Sequence, residues 1–323
     1  MRTDPRRIAL LAVLILAAFG SLLLPLQSLP AILANDRPLA LTILFEIRLP
    51  RTLLALCYGA MLGGAGAAIQ ALFANPLASP DITGASGGAA LGAVLAAYIL
   101  GFAGPFGLAA GGVIGALAAL LLLLALAGPE ADTATLLLAG IAISAVTGAL
   151  TTLALALAPS PFAFYDAYDW LMGSLVDRSV NQALFAIVPI VLALLLLSRD
   201  ARALDMLALG EEAAASMGHD LKALRRRVIV IVAAGVGAGV AICGAIGFIG
   251  LVAPVFARKL TGGHPGRAIW PAASIGALLL TAADLLVRAA PEGRVLPIGV
   301  VTAMLGAPFF LWLVTRMRWD FRP

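Results

Sequence analysis

Residues that commonly perform enzyme chemistry are scarce in this chain of 323 residues. The two histidines, His219 and His264, belong to no His/Cys/Asp cluster with metal-ligand spacing, and Cys57 and Cys243 lie within apolar runs, where buried free thiols are expected. The sequence contains neither H-E-x-x-H nor G-x-S-x-G, and it lacks the phosphate-cradling G-x-x-x-x-G-K-[ST] motif. We therefore expect no catalytic residue, no metal or other cofactor, and no ATP hydrolysis by this chain itself.

Three arginines have the chemistry to bind carboxylates. Arg48 and Arg51 flank a Leu-Pro step, and Arg288 follows Asp284 by four residues, so Asp284 and Arg288 can pair on one helix face. All three are expected at the ends of apolar segments, on the side of the membrane where basic residues are few. Snorkelling and local pairing can explain each arginine alone. Their gathering on one side instead indicates an acidic partner outside.

A polar, helix-breaking segment at 75–88 separates two apolar runs. It begins with Asn75 and Pro76, and Gln70 lies inside the apolar run before it. Irregular backbone at membrane depth persists only where it is buried in protein or lines a wet cavity. The segment is therefore either an ordinary cytoplasmic turn or a re-entrant element that lines a pathway.

A short amphipathic helix is predicted at 209–218, with the sequence LGEEAAASMG. Its notable residues are Leu209, Gly210, Glu211, Glu212 and Gly218. A basic stretch at 222–227 follows. The segment is either a solvated loop or a compact acidic element that docks to a soluble motor protein.

The composition places these residues in a membrane protein. Hydrophobic residues make up 62% and charged residues 12% of the chain, and the mean hydropathy is +1.05. Soluble domains carry roughly 45–50% apolar and about 25% charged residues. The pI near 9.5 does not indicate nucleic-acid binding, because the basic residues form short clusters between apolar runs.

Ten stretches are apolar enough to span a bilayer and predict an all-α integral membrane protein. They are residues 8–29, 50–73, 85–101, 107–127, 135–157, 180–198, 227–243, 245–260, 268–289 and 298–316. The first resembles a signal peptide, but it lacks a small-residue cleavage site and is interrupted by Pro25, so we retain it as a span. The whole chain, 1–323, is then one transmembrane domain, in which 199–227 forms a cytoplasmic loop.

The distribution of basic residues predicts the orientation. With ten spans, 15 of the 21 Lys and Arg residues fall on the side that holds both termini, and six fall on the other. Because short cytoplasmic loops are enriched in Lys and Arg, both termini are expected in the cytoplasm.

From about residue 45 to the C-terminus, ordered motifs give the chain a family resemblance. They are RLPRT (48–52), NPLA (75–78), LLLAGIAIS (136–144), WLMGS (170–174), LGEEAAASMG (209–218), GFIGLVAP (247–254), ADLLVR (283–288), LPIG (296–299) and GAPFF (306–310). In these motifs the chain resembles the permeases of bacterial iron-siderophore, heme and vitamin B12 ABC importers.

The resemblance implies a homodimer of ten-span protomers in the inner-membrane lipid, with one path at the two-fold axis. Two ATPase subunits would dock on the cytoplasmic side and a periplasmic substrate-binding protein on the other. It assigns Arg48, Arg51 and Arg288 to salt bridges with glutamates of that binding protein, and 209–218 to the coupling helix that seats in the ATPase. The loop around Thr133 would be the cytoplasmic gate.

The cargo and the energy source have alternatives. Heme is slightly favoured, because an apparent lack of pathway charges suits a large, flat, partly apolar cargo; ferric siderophores stay open, and cobalamin is an alternative. An ion-coupled secondary transporter would need membrane-embedded carboxylates. Asp284 is the one candidate in the sequence, and it has Arg288 as a partner. An intramembrane enzyme is disfavoured because no catalytic constellation is visible.

Overall fold

The computed structural model describes residues 5–23, 36–102, 104–128, 131–218, 220–290 and 296–320, and these residues form helices joined by short connections. In chain order the helices are α1 (Pro5–Leu23), α2 (Arg37–Leu72), α3 (Ala85–Tyr98), α4 (Pro105–Ala127), α5 (Thr133–Ala156), α6 (Pro161–Leu171), α7 (Val180–Arg199), α8 (Ala201–Leu207), α9 (Glu211–Ser216), α10 (Leu221–Cys243), α11 (Ile249–Leu260), α12 (Ile269–Arg288) and α13 (Ile298–Asp320). A 3-10 turn, Pro80–Thr83, precedes α3. The predicted all-α fold is confirmed.

Six of the described helices are long and apolar enough to cross a membrane: α2, α4, α5, α7, α10 and α12. Shorter apolar stretches occur in α1, α3 and α13. Helices α2 and α10 lie mostly inside the bundle, whereas α5 is largely exposed along its length. The count of ten spans stays a prediction, and His219 and Pro25 lie outside the described residues.

The second predicted span has a wrong boundary. It was expected at 50–73, but helix α2 begins at Arg37, where the Asp36 carboxylate caps the helix by accepting a 3.1 Å hydrogen bond from the Leu39 amide. A π-helical turn, Ile43–Arg48, continues it into the main part. The widened turn directly before Pro50 accommodates the proline ring, which does not fit a regular α-helical interior.

The predicted cytoplasmic loop at 199–227 is folded rather than extended. It contains α8 and α9, and Asp200 at its start is buried and accepts a 2.7 Å hydrogen bond from the Arg227 guanidinium at its end. Helix α6, which follows α5, was not predicted, because its mixture of aromatic and acidic residues does not show a membrane-span pattern. Both connections between predicted spans, the one that holds α6 and the one at 199–227, therefore contain more secondary structure than hydropathy indicates.

Small residues set the closest helix contacts. At Gly63 of α2, an added methyl group would overlap the backbone oxygen of Ala272 in α12, and Gly88 and Gly115 make a similar contact between α3 and α4. Lipid tails are as apolar as the side chains, so helices in a membrane associate mainly through close packing. Faces of small residues allow the helix backbones to approach closely enough for this packing. These contacts fix the positions of the charged residues at the helix ends.

Candidate functional site

The predicted docking arginines form one ionic cluster with a buried aspartate, here called the arginine cluster (Arg48, Arg51, Asp284 and Arg288). One carboxylate oxygen of Asp284 lies 2.8 Å from Arg51 Nη2, and the other lies 2.6 Å from Arg288 Nη2. The Nε atoms of Arg51 and Arg288 also donate to Asp284, each at 2.8 Å. The pairing of Asp284 with Arg288 is confirmed; that of Asp284 with Arg51 was not foreseen.

The same cluster closes the carboxyl end of helix α1. Arg48 Nη1 donates to the backbone oxygens of Leu22 and Leu23 at 3.0 and 2.9 Å, and Arg288 Nη1 donates to that of Ser21 at 2.6 Å. The last carbonyls of a helix lack partners within the helix and carry partial negative charge, so cations stabilise them. The arginine cluster thus joins α1, α2 and α12 at one end of the bundle.

The docking assignment needs guanidinium surface that a partner can reach. The side chains of Arg51 and Arg288 are 17% and 11% exposed, while Asp284 is 1% exposed. A cavity of about 160 Å³ adjoins Arg51 and Asp284 and is also lined by Asp169, Ser174 and Pro297. Asp284 therefore occupies the inner faces of the two arginines, and the role of Arg48, Arg51 and Arg288 in docking stays a prediction.

The predicted coupling helix and the predicted gate are in contact. Helix α9 lies within 209–218, and Gly210 and Gly218 at its two ends have φ of 105° and 85°, a region that favours glycine. Thr133 Oγ1 donates a 3.4 Å hydrogen bond to Glu211, and Arg225 Nη2 lies 2.5 Å from the same carboxylate oxygen. Two segments singled out for separate roles therefore share Glu211.

Arg225 and Asp132, which lie beside the predicted gate residue Thr133, were not singled out from the sequence. Arg225, near the start of α10, is 8% exposed although Glu211 is largely solvent-facing, so Arg225 is the buried member of the pair. Asp132 caps α5 by accepting a 2.8 Å hydrogen bond from the Thr135 amide. Hydrogen bonds from the Thr135 side chain and backbone, with Arg225 nearby, lower the pKa of Asp132. The Asp-Thr-x-Thr sequence was a recognisable cap signal.

The predicted pathway residues Gln70, Asn75 and Pro76 lie at the carboxyl end of α2. Gln70 is fully buried, and its Nε2 donates to the backbone oxygen of Leu251 in α11 at 3.2 Å. Asn75 Oδ1 accepts a 2.9 Å hydrogen bond from the Leu77 amide and so closes the turn at Pro76. In this conformation Gln70 joins two helices; its part in a gate or pathway stays a prediction.

The rest of the helix-breaking segment runs against the middle of α5. Gly84, with φ of 73°, packs on Ile143, and a methyl group at Gly140 would overlap the backbone oxygen of Ile82. Ser144 Oγ donates to the backbone oxygen of Asp81 at 3.3 Å. A short 3-10 turn, not a continuous α-helix, therefore lies beside the centre of a long apolar helix, as a re-entrant element does.

Comparison with known proteins gives consistent matches over nearly the whole chain. The profile of the FecCD transport family matches residues 8–316. The vitamin B12 import system permease protein BtuC of Vibrio cholerae is 41% identical over 287 residues, which are 85% of this chain and 83% of that protein. The Fe(3+) dicitrate transport system permease protein FecD of Escherichia coli K12 is 41% identical over 276 residues, which are 85% and 86% of the two chains.

A solved transporter structure is also similar to this chain. A structure described as an inward-facing conformation of a metal-chelate type ABC transporter superposes with a TM-score of 0.85 and 30% identity, covering 97% of this chain and all of that one.

Proposed function

The chain belongs to the FecCD transport family, and from this premise we propose that it is the permease subunit of an ATP-driven importer that carries an iron chelate into the cytoplasm. The observation that carries the proposal is the match of family, sequence and fold along almost the entire chain. A permease of this family is a multi-pass membrane protein and a transport subunit, not an enzyme.

We further propose the assembly in which it works. Two copies of the chain, each a single domain of ten spans, form the path in the bacterial inner membrane with both termini in the cytoplasm. Separate ATPase subunits supply the energy, since the chain has no phosphate-cradling motif of its own. The 199–227 loop presents α9 to the ATPase, and the arginine cluster faces the periplasmic binding protein.

The cargo is proposed as a ferric chelate, either a siderophore complex or heme. The slight preference for heme depended on a lack of charged residues along the path. Asp81 lies beside the middle of α5, so this argument no longer separates heme from siderophores. Cobalamin is a second candidate, because one of the similar permeases is named for vitamin B12 import.

Reconstitution tests the proposal. The chain is purified with the ATPase and binding protein that accompany it and placed in liposomes, and uptake of heme, a ferric hydroxamate, ferric dicitrate and cobalamin is measured. We expect uptake of one iron chelate that requires ATP and the binding protein. The control is an ATPase whose phosphate-binding lysine is replaced by alanine; it should abolish uptake.

Two results would overturn the proposal. Uptake driven by a proton or sodium gradient without the ATPase would identify a secondary transporter. ATP hydrolysis by the purified chain alone would contradict the division of labour between subunits.

A further inference from the structure

Asp81 lies close to the middle of the membrane. The Ser144 hydroxyl donates to its backbone oxygen, and Ser144 is near the centre of α5, Thr133–Ala156, a helix of 24 residues. With a rise of 1.5 Å per residue, Ser144 is about 17 Å from each end of that helix. Because α5 is long and apolar enough to span a bilayer, Asp81 lies near the midplane.

The Asp81 carboxylate is exposed and held in place by hydroxyl groups. Ser86 Oγ donates to Asp81 Oδ1 at 2.8 Å, and Ser79 Oγ donates to Oδ2 at 3.3 Å. Both hydroxyls orient the carboxylate, but neither carries a charge that would cancel its own. The exposed face of the side chain is therefore that of an anion.

Helices α3, α4 and α5 and the helix-breaking segment supply no cation to neutralise Asp81, and no described ion pair joins it to the basic residues of α10 and α11, which also pack near the 3-10 turn. Residues 52–177, which include α3, α4, α5 and the helix-breaking segment, contain no lysine, arginine or histidine. A second copy of the chain that placed the same segments opposite would bring no cation either. Within the described part of the chain, no ion pair involves Asp81.

An unpaired anion at this depth does not face lipid. Ionisable side chains within membrane segments face the bundle interior or a water-filled cavity, because lipid cannot solvate the charge. Asp81 is exposed on this protomer, and in the proposed dimer, whose path lies at the two-fold axis, the surface that can solvate it is the one that faces that path. Within a transporter, water at mid-membrane depth belongs to the translocation path.

We propose that Asp81 places a fixed negative charge on the water-filled path near the membrane midplane, where it attracts a cationic group of the cargo and repels an anionic one. The proposal rests on the proposed transport function, which supplies the reason for a wet path. In a two-fold dimer the two carboxylates act on the same cargo. Asp81 is then a specificity-determining residue that favours neutral or cationic chelates over anionic ones.

Labelling of a neighbouring thiol by charged reagents tests the proposal without knowledge of the cargo. Ser86→Cys is introduced into the full chain, and right-side-out and inside-out membrane vesicles are treated with the cationic thiosulfonate MTSET or the anionic MTSES. Relative to a free thiol in solution, we expect the rate ratio of MTSET to MTSES to be raised by about tenfold, since the two reagents differ in charge beside one carboxylate. Asp81→Asn in the same chain should remove this preference.

Controls separate the charge from other effects. The parent chain, with Cys57 and Cys243 alone, gives the background; Asp177→Asn removes an acidic side chain elsewhere and should leave the ratio unchanged. Asp81→Glu should retain the cationic preference, which distinguishes loss of charge from loss of fold. An introduced thiol that is inert in both vesicle orientations, or a ratio insensitive to Asp81→Asn, overturns the proposal. Failure of ATP-driven uptake with the labelling pattern intact would instead overturn the proposed function.

Discussion

Replacing the arginines of the arginine cluster and replacing its aspartate should affect docking of the proposed binding protein in opposite directions. Arg51 and Arg288 both pair with Asp284. Replacing both arginines, or replacing Asp284, therefore breaks the same two buried ion pairs. If the arginines also bind carboxylates of the binding protein, Arg51→Gln with Arg288→Gln removes the docking groups. Asp284→Asn removes only their internal competitor. Glutamine is preferred to glutamate at position 51, because a glutamate there would repel Asp284.

The magnitudes follow from burial. Breaking a buried ion pair by removing one partner costs about 3–5 kcal/mol, and the low end applies here because the arginines keep some contact with solvent. Both variants should therefore lower the thermal stability of the permease. A hydrogen bond to a charged group contributes about 1.5–3 kcal/mol, so loss of one such bond at each arginine weakens docking by about 3 kcal/mol or more. This corresponds to a rise of about 100-fold in Kd.

The assay measures both quantities in the same samples. Binding-protein affinity is measured for permease in nanodiscs at low and high salt, and unfolding is followed on heating. We expect the double arginine variant to lose affinity and Asp284→Asn to gain about tenfold, with a smaller difference at high salt, where exposed charges are screened. If both variants lose affinity in proportion to their loss of stability, the arginines are structural and the docking assignment is wrong.

Two further changes test the coupling contact and the helix packing. Glu211→Lys should abolish ATP-driven uptake, because it places a positive charge beside Arg225. Adding Arg225→Glu to the same chain should restore part of the uptake. Unchanged uptake in the single variant would make 209–218 a plain connector. Gly140→Ala should destabilise the permease by about 1–3 kcal/mol, because the added methyl group overpacks its contact with Ile82. Gly148→Ala on the same helix has open space around it and should be neutral or stabilising by up to about 1 kcal/mol. Both variants are compared by thermal unfolding in detergent.

Local patterns predicted the parts of the structure that depend on local physics. Hydropathy located most long helices, the two glycines around α9 marked its ends, and the four-residue spacing of Asp284 and Arg288 predicted their pairing. The start of α2 was missed because the span was placed from its apolar run, and Arg37, Glu46 and Arg48 lie before that run. A π-helical turn that absorbs the proline leaves no pattern in hydropathy.

Contacts between distant segments could not be predicted from spacing. Arg51 and Asp284 are 233 positions apart, and only the packing of α2 against α12 through small residues brings them together. The depth of Asp81 was hidden for the same reason. Its sequence neighbours are those of an ordinary turn, and only the contact with the middle of α5 shows that the turn lies far from the helix ends.

Helix α5 connects the two sites whose roles were predicted separately. Its first residue, Thr133, contacts Glu211, the first residue of α9, and Ser144 near its middle donates to the backbone oxygen of Asp81. Close packing ties the middle of α5 to the 3-10 turn, because a methyl group at Gly140 would overlap the backbone oxygen of Ile82. A displacement of α9 by the ATPase would therefore reach the mid-membrane carboxylate through one element. If α9 docks to the ATPase and Asp81 faces the cargo, as proposed, α5 would join energy coupling to cargo contact, because it contacts Glu211 at its first residue and the Asp81 backbone near its middle.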